Sequence, residues 1–144
     1  MSDDPGVFEI IHSLRSMRLP KTDPVPAEII HKILDAGIRP PSCQNTQRWA
    51  FLVVTEPEGK QFFGERYHHW MKERFGDTLK NVNYQSPLGR SVKAAMYLAE
   101  HMHEAPVLLM VCGKRDWPFA VAEKDRVGLA PPSYGSVYPC VQNI

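Results

Sequence analysis

The sequence predicts an α+β domain in which helices flank a small sheet. Three observations carry that expectation. Two short runs, 49–55 and 107–112, are continuously apolar, and the first is rich in β-formers. Several other segments place apolar residues three and four apart, the spacing of one helix face. Connections rich in Pro, Asn and Gly separate these segments. The chain has 144 residues, enough for one domain with a core, and residues 1–144 are read as that single domain.

The elements follow in order. Val7, Ile10, Ile11 and Leu14 give a first helix one apolar face, with Asp4 as its cap and Pro5 in its first turn. A polar, proline-bearing loop runs from Arg18 to Pro24. A second helix starts near Pro26, buries Ile29, Ile30, Ile33 and Leu34, and stops at Gly37. After a long loop, residues 49–55 form a strand covered on both faces. Residues 57–74 are read as a looser amphipathic helix and 81–89 as a loop. Val92, Ala95, Met96 and Ala99 mark a further helix face, and 107–112 a second buried strand. Residues 113–133 are irregular, with Pro118, Pro131 and Pro132. Val137, Val141 and Ile144, with Cys140 beside them, share a last helix face that runs to the final residue without a stop signal. Two strands alone rarely make an independent sheet, so the pattern predicts further strands from outside these residues.

Composition excludes several classes. Hydrophobic residues at 43% and charged residues at 23% are the balance of a soluble globular protein. The net charge of +1, from 17 basic and 16 acidic residues, argues against a nucleic-acid binder, which carries a basic stripe. No apolar run is long enough to span a membrane. The acidic, polar start Met1-Ser2-Asp3-Asp4-Pro5 is unlike a secretory signal, and a cytoplasmic location is expected. Cys43, Cys112 and Cys140 are few, odd in number and widely spaced, which argues against a disulfide framework. His101 and His103 are two apart on a helix and face different ways, and His68-His69 are adjacent, so no metal site is expected.

Two segments carry candidate chemistry. In Leu14-Arg15-Ser16-Met17-Arg18, two guanidiniums and a hydroxyl lie within four residues. Arginine's forked donors match phosphate oxygens, and serine adds one more. Cations closing a helix against its dipole are the ordinary alternative. Pro40-Pro41-Ser42-Cys43-Gln44-Asn45-Thr46-Gln47-Arg48-Trp49 is a rigid polar loop leading straight into a strand. Its side-chain amides and backbone N–H groups suit a planar heterocycle with carbonyls and ring nitrogens. Taken alone, the segment is more simply read as a plain connection whose Ser and Asn stabilise turns.

Order and separation decide between these readings. A phosphate-type cluster after the first helix, a second helix, then Pro-Ser-x-x-Asn-x-Gln-x-Trp entering a strand resembles the nitroreductase family of flavoenzymes. Arg15, Ser16 and Arg18 match the family's Arg-Arg-Ser-x-Arg motif. Pro41, Ser42, Asn45, Gln47 and Trp49 match its Ala-Pro-Ser-x-x-Asn-x-Gln-Pro-Trp motif. Residues 105–112 and 135–144 are similar to its core strand and the start of its central helix. Leu14 stands in place of the first Arg, Leu19-Pro20 follows where an aromatic is common, and Arg48 replaces the proline before the tryptophan. Family members also extend further, with more strands and another basic residue for the phosphate.

The resemblance implies a nitroreductase-like fold, with a mainly antiparallel central sheet of which part lies outside this chain. It implies an intertwined homodimer with FMN at the interface. Arg15, Ser16, Met17 and Arg18 would hold the phosphate and ribityl end, and Pro41, Ser42 and Asn45 would approach the flavin from the partner subunit. Gln47, also a cofactor-site candidate, would with Trp49 chiefly support the loop. Hydride would pass from NAD(P)H to the flavin, then electrons to a nitroaromatic, quinone or related acceptor. The cofactor carries that chemistry, so no side chain is assigned as catalytic. A specialised reductase or dehalogenase on the same scaffold is the alternative, as is a flavin binder without activity. Cys43 is read as a small filler before a redox-sensitive thiol. Phe62, Phe63, Tyr67, Trp70, Met71 and Phe75 are read mostly as core, with an acceptor pocket as their other use.

Overall fold

The computed structural model describes residues 5–117, 120–130 and 134–144. In order, the elements are α1 (Val7–Ser13), α2 (Ala27–Gly37), β1 (Trp49–Val54), α3 (Pro57–Asn81), α4 (Pro87–His101), β2 (Leu108–Gly113) and α5 (Tyr134–Asn143). The expected α+β class is the one observed. The expected cap Asp4 lies outside the described residues, as do Pro118, Pro131 and Pro132; Gly6 occupies the α1 cap position.

The chain divides into two compact units. One takes the described residues of Met1–Thr22 with Gln61–Ala105, the other Asp23–Lys60 with Pro106–Ile144. The second unit contains the sheet. β1 pairs antiparallel with β2, with Trp49 opposite Gly113, Phe51 opposite Val111 and Val54 opposite Leu108. α5 packs on β2 and on α2. The core is small: Val54 is 9% exposed, and Cys140 is completely buried. Gly113 sits so close to α5 that a β-carbon there would lie 2.6 Å from Val137 Cγ2.

One expectation changes here, and another is refined. Along β1 half-buried residues alternate with exposed ones, and Leu52 is 46% exposed. The strand is therefore not covered on both faces, because the helices of this unit cover only one side of a two-stranded ribbon. Gly37 ends α2 as expected, without a left-handed turn. It is the last helical residue, followed by Ile38 in right-handed geometry. Its small size matters instead, since a β-carbon would meet Ile144 Cδ1 at 3.1 Å and Phe51 Cζ at 3.2 Å. In α5 the interior Pro139 donates no hydrogen bond, and Cys140 Sγ donates to the Ser136 carbonyl at 3.3 Å.

The first unit is helical. α1 buries no residue, and Phe8 is 75% exposed, so the apolar face predicted for it is present but uncovered. α3 runs on past residue 74, with Lys80 pairing Asp77 at 2.9 Å in its last turn. The loop expected over 81–89 shrinks to 82–86, because Ser86 caps α4 by accepting from Gly89 N at 3.0 Å. On α3 the expected aromatic core is half open. Met71 is buried, while Phe62 and Trp70 are exposed and pack along their own helix. Arg66 lies over the Phe62 ring at 3.4 Å.

Candidate functional site

Residues 14–18 follow α1 in the first unit. Leu14 leaves helical geometry (φ −55°, ψ 129°), which frees the last carbonyls of the helix. Arg15 Nη1 donates to two carbonyl oxygens, of His12 at 3.0 Å and Leu14 at 2.7 Å. Arg18 Nη1 donates to the Ser16 carbonyl at 3.3 Å. The helix-closing role of Arg15 is thus realised, but by one nitrogen of a group with five N–H donors. Arg15, Ser16 and Met17 are exposed and Arg18 is half-buried. None of the ion pairs among the described residues involves either arginine. Two guanidiniums without an ion pair among the described residues, with a hydroxyl between them, are a donor set that fits a phosphate dianion.

Residues 40–49 lie in the second unit. Pro40 is buried, Pro41 exposed and Ser42 half-buried. A 3-10 turn over Cys43–Asn45 follows. The Ser42 carbonyl accepts from Asn45 N at 3.0 Å, and Ser42 Oγ accepts from Gln47 N at 3.0 Å. The Cys43 carbonyl accepts from Thr46 N at 3.1 Å and Thr46 Oγ1 at 2.9 Å. Three non-glycine residues adopt left-handed backbone: Gln44 (φ 53°), Asn45 (54°) and Gln47 (46°). The side chains of residues 43–47 all face solvent.

The loop's exit is fixed at the sheet. Lys114 N donates to the Arg48 carbonyl at 2.9 Å, extending the ladder by one residue. The Arg48 guanidinium pairs with the Asp116 carboxylate, each side chain 36% exposed. Arg48, Trp49, Ala50, Cys112, Gly113 and Lys114 line an open depression of about 350 Å³ there.

Of the predicted residues, Ser42, Asn45 and Gln47 meet in one hydrogen-bonded turn beside Pro41. Arg15, Ser16, Met17 and Arg18 form their own cluster in the other unit. Sequence reasoning missed Asp116 and Lys114. The strand register held a signal for them, since pairing Trp49 with Gly113 puts Arg48 opposite Lys114, two residues from Asp116. Nothing in the sequence flags left-handed backbone at Gln44 and Gln47, because glutamine does not favour it.

Comparison with known proteins places this geometry. The chain is 28% identical to iodotyrosine deiodinase 1 of Rattus norvegicus over 126 residues, covering 83% of the chain and 41% of that protein. It is 29% identical to an NADH dehydrogenase of Thermus thermophilus over 113 residues, covering 78% of the chain and 40% of that protein. It therefore spans about two fifths of the length of these relatives. A solved structure of iodotyrosine deiodinase bound to FMN and 3-iodo-L-tyrosine superposes with a TM-score of 0.66 at 22% identity. That match covers 94% of this chain and 65% of the other, and it shows a shared fold. The Nitroreductase family model matches residues 11–144, a span that includes both motif segments and every strand, and the chain belongs to that family.

Proposed function

We propose that this chain is part of an FMN-dependent oxidoreductase that draws electrons from NAD(P)H and delivers them to a small organic acceptor, such as a nitroaromatic or quinone. The observation that carries the reading is the donor set Arg15, Ser16 and Arg18 near the start of the family match, with no ion pair to either arginine among the described residues. Bound FMN supplies the redox chemistry. Arg15 and Arg18 neutralise its phosphate, Ser16 donates one further hydrogen bond, and Met17 lies against the ribityl end. Pro41, Ser42 and Asn45 approach the flavin, with Gln47 shaping the turn that presents them.

The chain works as a homodimer in this reading, and the loop of one copy serves the cofactor held by its partner. The uncovered apolar face of α1, with Val7, Ile10 and Ile11 exposed, suits such a partner. No helix among the described residues is long and apolar enough to cross a membrane. A cytoplasmic location accords with the sparse cysteines.

Flavin loading tests the cofactor. Protein mixed with FMN and desalted should absorb near ~450 nm, as a flavoprotein does. Replacing both Arg15 and Arg18 by Ala should weaken binding by about 3 kcal/mol or more, the loss of two charge-assisted contacts. Unchanged affinity refutes the phosphate assignment. The deiodinase relatives favour a second reading, reductive removal of halide from a halogenated phenol. Halide release from an iodophenol, measured beside NAD(P)H-driven nitro reduction, separates the two.

A further inference from the structure

The loop over residues 42–48 holds an unusual concentration of unfavourable backbone. Gln44, Asn45 and Gln47 are all left-handed, within four consecutive positions and without a glycine among them. Asparagine tolerates that region; glutamine does not. Strained backbone persists only where its surroundings over-determine it, and such residues cluster at ligand sites. The restraint here comes from one residue. Ser42 receives Asn45 N on its carbonyl and Gln47 N on its hydroxyl oxygen, both at 3.0 Å. Ser42 is half-buried, whereas the five residues it organises are exposed. Its hydroxyl oxygen is therefore committed to the loop's own backbone.

We propose that Ser42 is a positioning residue. It holds Gln47 in left-handed geometry and so fixes the shape in which the loop presents Asn45 to the flavin, a role that rests on the FMN reading above. Replacing the hydroxyl releases Gln47 N, and the loop relaxes to ordinary backbone that no longer presents the same surface. A glycine at position 47 adopts the left-handed region at no steric cost, so it keeps the loop's shape without the restraint.

A double-mutant cycle between Ser42→Ala and Gln47→Gly separates this role from a direct contact with the cofactor. FMN dissociation constants and urea midpoints are measured for the four proteins, with Ser42→Thr as the conservative control. Ser42→Ala should weaken FMN binding about fivefold in the native background, equivalent to about 1 kcal/mol. In the Gln47→Gly background the same change should cost less than about twofold. Ser42→Thr, which keeps an acceptor oxygen, should bind like the native protein. Equal losses in both backgrounds, or no loss in either, overturn the proposal. If the native protein takes up no FMN, the flavin reading fails, and the urea midpoints alone decide. Coupling between the two substitutions then supports Ser42 as the restraint, and additive effects overturn it.

Discussion

Gly89→Ala should destabilise the protein, although alanine at a helical position ordinarily stabilises by up to about 1 kcal/mol. Gly89 lies in the first turn of α4. A β-carbon built there would sit 2.0 Å from the Asn83 carbonyl oxygen and 2.6 Å from the Asn83 carbonyl carbon and Tyr84 Cα. These are backbone atoms, so no side chain can swing aside. The loop must retreat by more than about 1 Å to reach van der Waals contact near ~3.5 Å. That loop is tied down where it would have to move. The Asn83 carbonyl accepts from Ser86 N at 3.0 Å and from Ser86 Oγ at 2.6 Å, and Asn83 Oδ1 accepts from Gln85 N at 2.9 Å. Ser86 Oγ also accepts from Gly89 N as the helix cap. Losing two such bonds at about 1 kcal/mol each, with the cap worth about 1 kcal/mol more, outweighs the gain in helix propensity. The net loss is about 2 kcal/mol. Gly76→Ala is the matched control. It too is helical, in α3, but nothing lies within 4 Å of its β-carbon position, so it should stabilise. Urea titration of both variants reads opposite shifts of the midpoint. A Gly89→Ala protein as stable as the native one would refute the reasoning.

Three further outcomes are expected. Gly113→Ala drives its new methyl into Val137 and should cost about 1–2 kcal/mol in thermal unfolding, most of it recovered by adding Val137→Ala. The Arg48–Asp116 pair is partly solvated, so a double-mutant cycle should find a coupling of no more than about 1 kcal/mol that shrinks in high salt; an undiminished coupling in salt would contradict that. Burial pushes the Cys140 thiol above its ordinary 9.0, so its folded-state pKa exceeds the unfolded one. Its contribution to stability is present below the unfolded value and lost as pH rises through the folded value. Midpoints should therefore fall in alkaline solution and Cys140→Ala should flatten that fall, while thiol reagents label the exposed Cys43 and Cys112 first.

Legibility differed by element. The two strands were readable because each is a short, continuous apolar run, and both begin within a residue of the expected place. Spacing placed α2 and α4 equally well, and Ala99 of the predicted α4 face is almost wholly buried. The 57–74 helix was recognised but cut short, since the weak amphipathic pattern fades while the backbone continues to Asn81. Periodicity states which face of α1 is apolar, yet burial requires a surface to pack against, and that is a property of the assembled structure. The motif residues are neighbours in sequence, but their geometry was not visible there.

Local chemistry thus determined which segments are helix or strand, where the polar loops interrupt them, and which family the motif spacing belongs to. Tertiary structure alone decided what glycines do at Gly37 and Gly113, because the atoms that forbid a side chain come from elsewhere in the chain. It also decided that Arg48 finds Asp116 across the end of the sheet. Propensity and periodicity act over a few residues, whereas close approach and backbone restraint depend on which distant atoms share the same space.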